Sequence, residues 1–152
     1  VAGPSGPTGA TGPVFSVLKD AFRAKMTTDQ SITVTTNVKM LFGTKVFDVN
    51  IKYDSTNSRW TPAAGIALIG AGIYFSGGLA NNSFPTVMIY KNGALLAQNS
   101  ALSAATASPE ITVIDQCNGA DYYEVYVNVT PAHGSASVQA INAATSFYGS
   151  LL

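Results

Sequence analysis

Along several stretches of the chain, polar and apolar residues alternate with a period of two, the signature of a strand with one buried face. Residues 30–36 (Gln-Ser-Ile-Thr-Val-Thr-Thr) alternate and are rich in β-branched side chains. Over residues 46–53, Val46, Asp48, Asn50 and Lys52 alternate against Phe47, Val49, Ile51 and Tyr53, and the cluster Ser55-Thr56-Asn57-Ser58 then marks a turn. Residues 86–91 reach Asn92-Gly93 and return through Ala94-Leu95-Leu96. Asn-Gly supplies the two positive φ values of a type I′ turn, so this is the clearest hairpin. Residues 122–129 put Tyr123, Val125, Val127 and Val129 on one face and Tyr122, Glu124, Tyr126 and Asn128 on the other. The longest apolar run, residues 63–75, contains three glycines and is too short to span a bilayer, so it reads as a buried strand. Only Leu18, Ala21, Phe22 and Lys25 are spaced like a helix face, and that segment is short enough for strand or coil to be preferred. The Ala/Ser-rich residues 98–108 read as a loop over one end. Short strands with turn signals about every ten residues predict an all-β sandwich or jelly roll.

The first residues have a different texture. Gly3, Gly6, Gly9 and Gly12 recur at every third place, and prolines follow three of them. Three polyproline-II chains wind round one axis only where every third residue lacks a side chain, because nothing larger fits at the centre. Four triplets also arise in an ordinary Gly/Pro linker. As a triple helix they span about 35–40 Å at ~3.1 Å per residue, too little to hold together alone. The expected organisation is therefore a collagen-like stalk over residues 1–14 and a trimeric head over residues 15–152 that keeps the three strands in register.

Composition points the same way. Hydrophobic residues make up 47% of the 152 and charged residues 11%, against roughly 25% charge in soluble domains. Such a surface is expected to be partly covered by other copies of the chain. Eight basic residues balance eight acidic ones with no run of either sign, which argues against nucleic acid and anionic membranes as partners. The lone Cys117 has no internal partner and reads as a small buried apolar residue. No targeting segment stands at Val1, as expected of a piece cut from a longer protein.

Four landmarks in order carry a family resemblance: Ala21-Phe22-Arg23-Ala24; Phe47-Asp48 with Tyr53-Asp54 and Arg59-Trp60-Thr61-Pro62; Gly65 with Gly72-Ile73-Tyr74-Phe75; and the closing Thr145-Ser146-Phe147-Tyr148-Gly149-Ser150-Leu151-Leu152. Together, over about 130 residues after collagen triplets, they resemble the globular head of the complement C1q type within the tumour necrosis factor-like superfamily. The segment 63–72 departs from that pattern, being richer in Ala and Gly and lacking a proline before Gly65. The resemblance implies a ten-stranded jelly roll forming a homotrimer around a three-fold axis, with both termini at the stalk end. It makes Tyr74, Phe75, Tyr126, Phe147 and Tyr148 candidate aromatic contacts between subunits, the alternative being that they fill the protomer's own core. The third triplet positions hold Ser5, Thr8, Thr11 and Val14 and no proline, which resembles collagen-like proteins of bacteria and bacteriophages.

Little in the chain suggests catalysis. The single His133 lies in a Pro-Ala-His-Gly loop with no acidic neighbour, one Cys and one His cannot build a zinc site, and no glycine-rich loop ends in Gly-Lys-Ser/Thr. No enzyme activity and no organic cofactor are expected. Calcium is the one ion with a case: some relatives bind it, and Asp48, Asn50 and Asp54 cluster oxygen ligands in sequence. Asn81-Asn82-Ser83 and Asn128-Val129-Thr130 are glycosylation sequons of consequence only in a secretory host. The expected role is a fibre-tip knob on a virion or bacterial surface that attaches to a cell-surface receptor or glycan through loops at residues 79–84 and 98–108. The alternative is a purely structural cap of a collagen-like filament. A phage or a bacterial owner remains open at this stage.

Overall fold

The computed structural model describes residues 19–33, 36–77, 79, 82–102, 105–130, 136–140 and 144–152. The Gly-X-Y glycines Gly3, Gly6, Gly9 and Gly12, and His133, lie outside them. The described residues contain no helix. Their strands are β1 (Ala21–Lys25), β2 (Gln30–Ile32), β3 (Val38–Lys39), β4 (Thr44–Val49), β5 (Tyr53–Asp54), β6 (Arg59–Trp60), β7 (Gly65–Gly72), β8 (Phe75–Ser76), β9 (Phe84–Lys91), β10 (Ala94–Ser100), β11 (Thr106–Ala107), β12 (Glu110–Cys117), β13 (Tyr123–Thr130), β14 (Ala136–Val138) and β15 (Ser146–Leu151). A five-stranded sheet runs β12-β7-β15-β1-β4. A second runs β10-β9-β13-β6-β5 with β3 also on β13, and a small third sheet runs β11-β8-β14-β2. The strand number exceeds the ten expected because turns and sheet changes cut off five two-residue pieces, such as β8 beyond the break at Ile73-Tyr74.

The sheets face each other across one core. From the first sheet come Phe22 and Ala24 of β1, Ala67, Ile69 and Ala71 of β7, and Phe147 of β15. From the second come Val87 and Ile89 of β9 with Tyr123, Val125, Val127 and Val129 of β13, the face expected from alternation. At the centre Phe22 stacks on Tyr53 at 4.7 Å and 9°, meets Trp60 at 4.9 Å, and takes Phe147 edge-on at 4.8 Å and 81°. Each such pair contributes about 0.5–1.5 kcal/mol beyond its buried area. Gly149 sits against this stack: a Cβ there would lie 2.5 Å from the Trp60 ring and 2.9 Å from Phe22. Gly149→Ala is expected to lower stability by about 1–3 kcal/mol, read as a fall in the urea midpoint; an unchanged midpoint would mean the stack gives way easily.

Three sequence expectations change. The strand over residues 46–53 ends at Val49, because Asn50 (φ 63°) and Ile51 (φ 55°) turn the chain. One Asp48 oxygen accepts from Lys52 N at 2.9 Å and Tyr53 N at 3.2 Å and fixes that turn, leaving Ile51 83% exposed. The loop over residues 98–108 is shorter than expected: Gln98, Asn99 and Ser100 stay in β10 opposite Met88, Val87 and Thr86, and Thr106–Ala107 form β11. The strand β12 was not expected at all. Its alternation is blurred by an aspartate, Asp115, on the inner face and an isoleucine, Ile114, on the outer one. The Asn92-Gly93 hairpin agrees, with φ values of 53° and 81°.

Buried ionisable groups set limits on pH. Burial pushes the Tyr53 and Tyr123 phenols above the ordinary tyrosine range, and their hydroxyls donate to Phe42 O at 2.8 Å and Asp115 Oδ2 at 2.6 Å. A raised folded pKa gives stability that is complete below about pH 10 and lost above it. Burial alone would also raise the Glu124 and Asp115 carboxyls, but bonds from Lys39 and Arg59 and from Lys91 and Tyr123 hold them below the usual carboxylate range. Their contribution is complete above the unfolded values near 4 and lost as pH falls below them. The urea midpoint is expected to be flat from about pH 6 to 8 and to fall on both sides, the alkaline limb opening with the buried Cys117 thiol and steepening above about pH 10 with the tyrosines; a limb that does not steepen above about pH 10 would contradict the tyrosine assignment.

Candidate functional site

Antiparallel register brings the outward side chains of the five-stranded sheet into rows. One row reads Phe47, Arg23, Tyr148, Gly70, Thr112; the next reads Val49, Ala21, Ser150, Leu68, Ile114. Beyond them Ile66 lies opposite Gln116, with Leu152 N donating to Ile66 O at 2.9 Å. Tyr148 lies flat along its row because Gly70 has no side chain, and a Cβ there would run into the ring. Its hydroxyl reaches Thr112 Oγ1 at 3.2 Å. The result is a groove of about 510 Å³ lined by Ala21, Arg23, Phe47, Leu68, Tyr148 and Ser150. Around it Phe47 is 48% exposed, Ile66 44%, Ile114 62% and Leu152 55%. In these two rows Arg23 is the only charged residue. So much apolar surface on one sheet face is what an association surface presents before its partner arrives.

The five candidate interface aromatics do not come together. Tyr148 belongs to this face. Phe75 and Phe147 are 0% exposed within the single chain, so their side chains fill the protomer's own core and offer nothing to another copy. Tyr126 points outward from β13, on the opposite broad face of the sandwich. Tyr74 is half-buried at the break between β7 and β8, where its N–H donates to Thr145 Oγ1 at 3.0 Å. Alternation separates Phe147 from Tyr148; only packing decides which of the two points inward. Of the residues missed, Phe47, Ile66, Leu68 and Ile114 carry one signal in the sequence, apolar letters on both faces of a strand; Arg23 carries none.

The three residues suggested for calcium each bond within or beside their own turns. Asp48 holds its turn and pairs with Lys45 Nζ at 2.8 Å. Asn50 Nδ2 donates to Asp20 Oδ1 at 2.8 Å. Asp54 caps the next turn, accepting from Thr56 N at 2.9 Å and Asn57 Nδ2 at 2.6 Å. Among the described residues no three His, Cys, Asp or Glu side chains are grouped to hold an ion. Cys117 is buried, its thiol pushed up by burial and donating to Ala63 O at 3.1 Å.

The buried Asp20 ties the segment before β1 to the last strand and to Ala63. Its Oδ2 accepts from Ala63 N at 2.6 Å, and its backbone carbonyl accepts from Leu151 N at 2.8 Å. The last strand thus finishes beside the start of β1. At the other end of the sandwich, Lys25, Ser146, Gly72 and Glu110 share a row, close to where β12 begins. Leu102, just after β10, is 66% exposed and Phe84, where β9 begins, 47%.

No family model and no curated protein matches the sequence. Solved structures do match. The globular domain of zebrafish complement 1qA is 11% identical with a TM-score of 0.64, over 88% of this chain and 98% of that one. Murine APRIL, at 11% identity and a TM-score of 0.66, covers 88% and 99%, and Eiger TNF from S. frugiperda, at 11% and 0.61, covers 89% and 92%. At such identities the likeness concerns the fold. The described residues adopt a C1q/TNF-like jelly-roll fold with open sheets.

Proposed function

We propose that the chain is one protomer of a three-fold fibre tip, whose head attaches a phage virion or a bacterial surface to a receptor or glycan and clamps the collagen-like stalk. The observation that carries this reading is the apolar outer face of the five-stranded sheet, on a C1q/TNF-like fold that follows four Gly-X-Y triplets. An exposed face of this kind is covered at least cost by an identical copy, and closed rings are the usual form of such assemblies. The bond from Leu151 to Asp20 supports the clamp, since it keeps the last strand beside the first described residues after the Gly-X-Y triplets. Three heads on one rigid stalk multiply weak contacts, which supports attachment.

The full chain is expected to scatter light as three protomers and to bind target cells. A mass of one protomer would overturn the assembly. A trimer that binds no cell, on a filament that attaches equally well without its head, would leave the head as a cap alone.

A further inference from the structure

The outward face of the second sheet carries a polar network that the fold does not need for its core. Glu124 lies at its centre, with a side chain only 4% exposed. One of its oxygens, Oε1, accepts from Lys39 Nζ at 2.7 Å and from Arg59 Nε at 3.0 Å and Nη2 at 2.8 Å. The Arg59 guanidinium lies 3.7 Å over the Tyr122 ring. Tyr126 packs against Tyr90 with ring centroids 4.3 Å apart and turns its hydroxyl towards Glu124 Oε2 at 3.4 Å. On the far side Asn128 Nδ2 donates to Asn37 Oδ1, and Asn37 Nδ2 to the Tyr90 hydroxyl, both at 2.8 Å. Three half-buried tyrosine rings are thereby fixed on a flat sheet before any ligand arrives, so little ordering cost remains on binding.

Two features select the ligand. First, the protons left over are donors: the Tyr90 hydroxyl accepts from Asn37, Lys39 Nζ makes one bond of three, and no described residue accepts from Arg59 Nη1. Second, the charges close among themselves. Lys39 and Arg59 are matched by Glu124 and by Asp54, which lies opposite Arg59 in the β5–β6 pair. A platform of rings with neutral overall charge and spare donors fits a ligand that has a flat apolar face and many uncharged oxygens. We infer that the Tyr90–Tyr126 pair, edged by Lys39, Arg59 and the Arg59-capped Tyr122, binds a neutral pyranose of a glycan, the sugar's C–H face on those two tyrosines and its oxygens on the donors. This rests on the attachment reading and gives it a site away from the end loops. The face also lies opposite the apolar sheet, so it stays open when copies associate through the latter.

The test uses the full chain on a panel of neutral oligosaccharides ending in hexose or N-acetylhexosamine, with sialylated ones alongside, and whole-cell binding in parallel. At least one neutral glycan is expected to bind, with Kd changing less than about twofold between low and high salt. Tyr126→Ala and Tyr90→Ala should each weaken it about tenfold, the value of one ring face of apolar contact. Tyr90→Phe keeps the ring and loses the donor, so it should weaken binding while leaving the urea midpoint near wild type. Neutral-glycan binding that is indifferent to all three variants would overturn the site. Binding of sialylated glycans alone, steeply weakened by salt, would overturn the neutral-ligand assignment. Cell binding without any glycan binding would overturn this inference and leave the attachment reading standing with a protein receptor. Failure to bind either cells or glycans would remove both.

Discussion

Phe147→Ala is expected to lower the unfolding free energy by about 3–5 kcal/mol, the range for truncating a buried aromatic side chain. Phe147 is fully enclosed and touches Phe22 at 4.8 Å, Phe42 at 5.7 Å and Tyr53 at 6.0 Å, so its removal opens a hole where three rings converge. Interiors are packed too densely for that hole to collapse. The loss should therefore appear in any assembly state, as a drop in the urea midpoint from wild type that is the same at every protein concentration. A concentration-dependent loss would instead return Phe147 to a subunit interface. The neighbouring Tyr148→Ala is the matched comparison: it points outward, and its effect should depend on concentration.

Leu68→Asp is expected to reduce the scattering mass from three protomers to one at micromolar concentration while leaving the far-ultraviolet circular dichroism unchanged. Leu68 lines the groove between Ser150 and Ile114 and points away from the core, so a carboxylate there stays solvated in the monomer. In the trimer it would be buried without a partner, a cost of several kcal/mol repeated at every interface. Since each 1.4 kcal/mol is tenfold in an equilibrium constant, that is enough to reverse the association. Tyr126→Ala, on the opposite face, should leave the mass unchanged. A Leu68→Asp protein that remains trimeric would mean that some other surface holds the copies together.

The difference between these two neighbourhoods explains what could be read early. Over residues 122–129 the inner positions are Tyr and Val throughout, so period two and hydrophobicity agree and the buried face is unambiguous. In β7 apolar residues occupy both faces and in β12 Ile114 stands among polar residues on the outer one, because one face meets the core and the other continues the exposed apolar surface. Over residues 46–53 the letters alternate across a turn, and only the Asp48 carboxylate, gathering two backbone N–H groups, tells turn from strand.

The sequence by itself determined the all-β class, the Asn92-Gly93 hairpin and the inward face of β13, since each depends on residues close together in the chain. The tertiary structure alone decided that Phe147 is core and Tyr148 surface, that β15 lies between β7 and β1, and that Arg59 and Lys39 meet on Glu124. These depend on pairings between segments up to about 130 residues apart. Such pairings follow from the packing of whole sheets, because a strand's local pattern fixes which residues share a face and leaves open what that face meets.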